Sequence, residues 1–240
     1  YIVHLAGAGI ADKAWTTHRK KEIIESRVLS TDLLYNKVKE LKTPLKGFIS
    51  ASAVGYYGQV TRDKIFSEED KSANDFVGKT CFLWEQAAER FEELGIRTVR
   101  IRIGVVLMSE GGALEKMSQP IRLGFGSPLG SGKQYIPWIL VDDLIRIFHQ
   151  VIEDNHLKGA FNAVSPKPVE NKEFTHILGQ VLKKKIWLPN VPAFVLKAIL
   201  GARTSLVLQG SRVSSNKIET TGFDFHYPDL EPALKNLLIS

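Results

Sequence analysis

Short, nearly uncharged apolar runs alternate along this chain with long amphipathic stretches, and that alternation restricts the fold more than any other feature. Tyr1-Ile2-Val3-His4-Leu5 is the first run, closed by Ala6-Gly7-Ala8-Gly9. A helical pattern follows from Thr17 to Leu41, with Ile23, Ile24, Val28, Leu33, Leu34 and Val38 as its apolar stripe, and Lys42-Thr43-Pro44 stops it. Leu45 to Val54 is a second buried run, ended by Gly55-Tyr56-Tyr57-Gly58, after which Gln59 to Asn74 reads as a polar loop. Asp75 is suited to cap a helix that reaches Leu94 and stops at Gly95. Arg97 to Leu107, rich in Val and Ile, is the next strand. Strands separated by helices in this rhythm require right-handed crossovers and a parallel sheet covered on both faces, which is a doubly wound α/β architecture.

The rhythm changes after Leu107. Gly111, Gly112, Gly124, Gly126, Gly130 and Gly132, interleaved with Pro120 and Pro128, predict a loop-rich segment over 108–140. A helix from Val141 to Asp154 and a strand from Gly159 to Val164 return to the sheet over 141–165. Residues 166–240 read as a smaller, mostly helical lobe, with helices over Glu170–Leu182, Pro192–Leu200, Leu206–Gln209 and Leu230–Leu238.

Composition removes several function classes. The 240 residues carry 32 Lys and Arg against 26 Asp and Glu, a net charge of +6. The basic residues are dispersed, the tightest cluster being Lys183-Lys184-Lys185, so the charge points to a phosphorylated small molecule rather than nucleic acid. The best membrane candidate, Val191 to Leu200, is too short and holds Lys197. Cys81 is the single cysteine, so no disulfide scaffold or Cys-rich zinc site can form, and the six histidines lack ligand spacing. No metal is expected, and a reducing, cytoplasmic setting is. Tyr1 opens a strand already under way.

Several segments together carry a resemblance. His4-Leu5-Ala6-Gly7, Ser50-Ala51-Ser52-Ala53-Val54 with the Tyr-Gly after it, and Tyr135-Ile136-Pro137-Trp138-Ile139-Leu140-Val141-Asp142-Asp143-Leu144 resemble, in order, the fourth strand, the serine strand and a late segment of the extended short-chain dehydrogenase/reductase superfamily. Trp84-Glu85, Arg102-Ile103-Gly104-Val105-Val106-Leu107, Gly130-Ser131-Gly132-Lys133-Gln134 and Gly222-Phe223-Asp224-Phe225-His226-Tyr227-Pro228 are similar to a subgroup of nucleoside-diphosphate-sugar epimerases labelled "epimerase family protein". The resemblance covers essentially the whole chain. It implies a Rossmann-like sheet whose first βαβ part, with its glycine-rich turn, lies outside the chain. Roughly 50 to 70 residues are then expected before Tyr1. It also implies NADP or NAD as cofactor, a small-molecule substrate of the nucleotide-sugar kind, hydride transfer or epimerisation, and a homodimer as an open option.

One departure stands against the resemblance. In that superfamily a Tyr-x-x-x-Lys helix supplies the acid/base tyrosine and a ribose-holding lysine, with a glutamate four residues later. Aligned on Glu85, the lysine position holds Cys81 and the tyrosine position Val77. Lys79 is turned about 200° from Cys81 on a helix and cannot replace the ammonium. Ser52, Tyr56 and Tyr57 are the remaining catalytic candidates; packing under the loop is the alternative for the tyrosines, and backbone satisfaction for the serine. The resemblance gives Leu5, Ala6, Gly7, Ser50, Cys81, Gly104 and Val105 to the cofactor, although an inert buried thiol is the other reading of Cys81. Lys133, Gln134 and Trp138 fall to the substrate, against a reading in which the glycines there only make turns. Asp142 is expected to cap the helix it begins. Trp15 and Arg27 match subgroup positions and are expected only to pack and to form a surface ion pair. The expected function is an NAD(P)-binding protein of the epimerase kind, the alternative being a non-catalytic dinucleotide-binding or regulatory protein.

Overall fold

The computed structural model describes residues 1–58 and 64–239. The first five residues of the expected polar loop over Gln59–Asn74, 59–63, lie outside those residues. In chain order the sheet half comprises β1 (Ile2–His4), α1 (Thr17–Leu41), β2 (Phe48–Ala53), β3 (Ile65–Phe66), α2 (Phe76–Glu89), β4 (Thr98–Ile103) and β5 (Val105–Leu107). The remainder comprises α3 (Gly112–Arg122), β6 (Tyr135–Ile136), β7 (Trp138–Leu140), α4 (Val141–Glu153), β8 (Gly159–Ala163), β9 (Val169–Glu170), α5 (Asn171–Val181), α6 (Ala193–Leu200), α7 (Ser205–Leu208), β10 (Arg212–Val213), α8 (Asn216–Glu219) and α9 (Leu230–Leu238).

Four strands form one sheet in the order β1-β2-β4-β8, every neighbouring pair parallel. Parallel strands must be reached by crossovers, and the crossing helices bury both faces. On one face Tyr35 and Val38 of α1 and Ala88 of α2 pack with Phe48, Phe91 and Ile96. The Phe48 and Phe91 rings lie parallel with centroids 3.8 Å apart. On the other face Ile147 and Val151 of α4, with Ile218, Phe223 and Phe225, cover Ile49, Val99, Ile101 and Phe161. The expected doubly wound architecture is therefore present. The predicted stripe of α1 is displaced, however: Leu33 is exposed, and Thr31 and Tyr35 point inward instead.

The caps follow local chemistry. Thr16 accepts from Arg19 N at the start of α1, and Asp75 accepts from Gly78 N at the start of α2. Lys42 ends α1 in the left-handed region, and Gly95 does the same after the turn that prolongs α2.

The expected continuous strand over 97–107 is broken. At Gly104 the chain leaves the sheet: Gly104 N donates to Ala163 O of β8, and Val105 N donates to Pro137 O. From there β5 pairs with β7 instead. A Cβ at Gly104 would stand 2.2 Å from Pro137 O, so only glycine lets the backbones approach this closely. The segment after it, expected to be loop, contains α3. Gly111 and Gly112 at positive φ open that helix and Pro120 lies inside it, which hid it among turn residues. A separate core joins the segment over 108–140 to the C-terminal helices, where Leu114, Ile121, Trp138, Phe174, Leu178 and Leu234 meet. Two further short strand pairs, β6 with β9 and β3 with β10, were not expected.

Candidate functional site

Because all four sheet strands run the same way, the turns after β1, β2 and β4 leave from one edge, where ligands bind in open parallel sheets. Leu5, Ala6 and Gly7 follow β1 and are exposed; Gly104 and Val105 follow β4 and are partly exposed. The β1 turn is held against α1. Ala8 N donates to Ser26 Oγ at 3.0 Å, and Arg27 Nη1 donates to Ala8 O at 3.0 Å and to Ile23 O at 2.9 Å. Arg19 Nη2 reaches Gly9 O at 2.6 Å, and the Trp15 indole donates to Ile10 O.

The end of β2 tells a different story. Pairing register sets Ser52, Arg102 and Asn162 side by side on three strands. Ser52 Oγ donates to Glu85 Oε1 at 2.7 Å, and Arg102 grips the same carboxylate through Nε and Nη2, each at 2.8 Å. Arg102 Nη1 donates to the Tyr57 hydroxyl, which in turn donates to Asn162 Oδ1 at 2.7 Å. All five side chains are buried, so this is a satisfied internal network. Burial pushes the Tyr57 phenol well above its usual range, while the Glu85 pair outweighs desolvation and holds the Arg102 guanidinium above its own.

These contacts revise several expectations. The hydroxyls of Ser52 and Tyr57, expected to be catalytic, are both engaged inside the network. Tyr56 is partly exposed; its ring lies 3.6 Å from the Arg102 Cζ, and its hydroxyl has no hydrogen-bond partner among the described residues. Ser50, assigned to the cofactor, is buried within the sheet and donates to Ala51 O. Cys81 is also sealed, and burial pushes its thiol up to about 12. Lys79 is exposed on the opposite side of α2, as the helical geometry required.

In the other lobe Lys133 is exposed on its loop, but the two residues grouped with it turn inward. Gln134 is buried and bridges Leu129 O and Val207 O through Nε2. Trp138 is buried in the core cluster with Leu114, Phe174 and Leu234. Asp142 caps nothing. Its neighbour Asp143 is buried and accepts from the backbone N–H groups of His226 and Tyr227 while pairing with Arg146. That contact ties the C-terminal segment to α4, and no spacing rule separates the two aspartates. Arg27 makes no surface ion pair either: no carboxylate partners it among the described residues.

A parallel sheet, helices on both faces and an open carboxyl edge bearing a glycine turn define a Rossmann-like nucleotide-binding fold. The NAD dependent epimerase/dehydratase family matches residues 1–163, and a domain of unknown function (DUF1731) matches residues 191–237. The chain is 38% identical over 241 aligned residues to the Epimerase family protein SDR39U1 homolog, chloroplastic, of Arabidopsis thaliana, covering 99% of this chain and 68% of that one. It is 37% identical to the Epimerase family protein YfhF of Bacillus subtilis, covering 98% and 77%. The crystal structure of human epimerase family protein SDR39U1 (isoform 2) with NADPH superposes with a TM-score of 0.92 at 34% identity, covering 98% of this chain and 80% of that one. The chain belongs to the NAD dependent epimerase/dehydratase family. No helix among the described residues is long and apolar enough to cross a membrane.

The carboxyl edge suits a flat anionic dinucleotide on this chain's own evidence. The turn after β1 exposes small residues and backbone, and the Arg27 cation beside it has no acidic partner among the described residues. Val77 and Cys81 are both buried on α2, and burial keeps the Cys81 thiol protonated at neutral pH.

Proposed function

We propose that this protein binds NADP(H) at the carboxyl edge of its sheet, through Leu5, Ala6 and Gly7 on one side and Gly104 and Val105 on the other. The observation that carries the reading is the shared edge itself. Two turns bearing small residues open on the same side of one parallel sheet, and each keeps its surface accessible. The NADPH in the human relative's structure supports the choice of dinucleotide. When bound, the nicotinamide supplies hydride chemistry. The chain's residues hold and orient the ligand, and the buried Ser52–Glu85–Arg102 network keeps the turn after β2 rigid beneath it.

The reading favours binding without the epimerase reaction. An epimerase of this class needs a base for the carbinol proton; aligned on Glu85, the tyrosine position that would supply it holds Val77, and the lysine position four residues on holds the buried Cys81. Titrating the purified protein with NADPH and NADH by calorimetry, then incubating it with a panel of nucleotide sugars, tests the proposal. Dinucleotide binding with no epimerised product supports it; no binding of either dinucleotide overturns it.

A second reading, a reductase acting on a small substrate, is favoured by Tyr56. Tyr56 is partly exposed, and its hydroxyl has no hydrogen-bond partner among the described residues, which leaves it able to donate a proton. Lys133, on an exposed loop of the other lobe, is suited to a substrate phosphate. NADPH oxidation with a carbonyl substrate that Tyr56→Phe abolishes would establish this reading in place of the first.

A further inference from the structure

Arg27 is placed unlike an arginine kept for packing. Its guanidinium lies over the Trp84 indole, with Cζ 4.9 Å from the ring centroid, and it closes on Gly7 so tightly that a Cβ there would stand 2.8 Å from Cζ. Nη1 is used twice, on Ala8 O and Ile23 O, which fixes the plane of the group. Nε and Nη2 make no hydrogen bond among the described residues, and the residue is partly exposed.

The electrostatics point the same way. Arg27 is half-buried, and the groups acting on its charge are Cys81 and Arg19, neither of them a carboxylate. A cation with restricted solvation and no counter-ion favours an incoming anion. Trp84 lies one helical turn beyond Cys81, so the guanidinium is held between α2 and the turn after β1.

We infer that Arg27 is the cation of the dinucleotide site, its free Nε–Nη2 edge holding the nicotinamide-side ribose and the phosphate beside it in place of the ammonium that Cys81 cannot supply. The inference rests on the proposed NADP(H) binding and adds to it a residue and an end of the ligand. Arginine suits the task because its fixed fork donates two parallel hydrogen bonds, and two Nη1 contacts pre-orient that fork.

The test uses two probes, NADPH and adenosine 2′,5′-bisphosphate, the latter carrying only the adenine half. Binding of both is measured by calorimetry for the wild type, Arg27→Gln and Arg27→Lys, with thermal melting of each. Arg27→Gln is expected to weaken NADPH by about tenfold or more, the worth of a charge-assisted hydrogen bond, and to leave the adenine probe unchanged. Arg27→Lys is expected to recover part of the loss. On the wild type, phenylglyoxal modification of Arg27, read by mass spectrometry, is expected to be blocked by NADPH and not by the adenine probe, so the outcome does not depend on a variant folding. NADPH affinity unchanged in Arg27→Gln overturns the inference and leaves the proposed function standing. Equal loss of both probes, or modification that NADPH does not block, also overturns it. Failure of the wild type to bind NADPH overturns both.

Discussion

Glu85 and Arg102 meet as a bidentate pair in the interior, with Nε and Nη2 of the arginine each 2.8 Å from a carboxylate oxygen. The glutamate comes from α2 and the arginine from β4, so the pair fastens a covering helix to the sheet. Ser52 adds the adjoining strand.

Removing one member leaves the other charged and unpaired in the interior. Glu85→Gln is expected to lower the unfolding free energy by about 3–5 kcal/mol, the usual cost of orphaning one half of a buried pair. Ser52→Ala, which removes a single hydrogen bond, should cost about 1 kcal/mol. Urea denaturation of the two variants measures the difference.

Gly104→Ala tests the crossing point between sheet and lobe. Its Cβ would meet the Pro137 carbonyl at 2.2 Å, and a backbone oxygen has little room to yield. A loss of about 1–3 kcal/mol is expected, as for other overpacked sites. Hydrogen exchange should quicken at Gly104 and Val105, whose N–H groups bond Ala163 and Pro137.

The Cys81 thiol, pushed up to about 12 by burial, is expected to ignore a disulfide reagent at pH 8 and to react once urea opens the protein. The folded state keeps its proton at a pH where the unfolded chain has lost it. Stability from this group is therefore full below the ordinary thiol range and falls as pH rises toward 12. Cys81→Ala should flatten the alkaline limb of a stability-against-pH curve.

Asp143→Asn should separate the roles of adjacent aspartates. Asp143 satisfies two backbone N–H groups of the C-terminal segment, and an amide can accept at only one of its two heads. A loss of about 2–3 kcal/mol is expected, against almost none for exposed Asp142→Asn. Thermal melting distinguishes them.

What could be read in advance was whatever short-range chemistry decides. Thr16 with Arg19, Asp75 with Gly78, and Gly95 after its helix are contacts within a few residues, and the expected boundaries of α1 and the start of α2 agree with the structure. The parallel sheet followed from the alternation of strand and helix. The site was less legible, because Ser52, Glu85, Arg102, Tyr57 and Asn162 become neighbours only through strand register and helix packing. Gln134 and Trp138 sat in a glycine-rich stretch that suggested an open loop, but the unrecognised α3 and its core draw them inside. Arg27 lay in a run of mixed charge on α1, where nothing nearby in sequence reveals that its guanidinium turns away from every carboxylate.

The departure of the chain at Gly104 also fixes how force passes through the molecule. One peptide later the same backbone belongs to a second ladder, with no slack residues between the two. A tilt of the segment beyond Gly104 is therefore expected to pull on the rim that carries Gly104 and Val105.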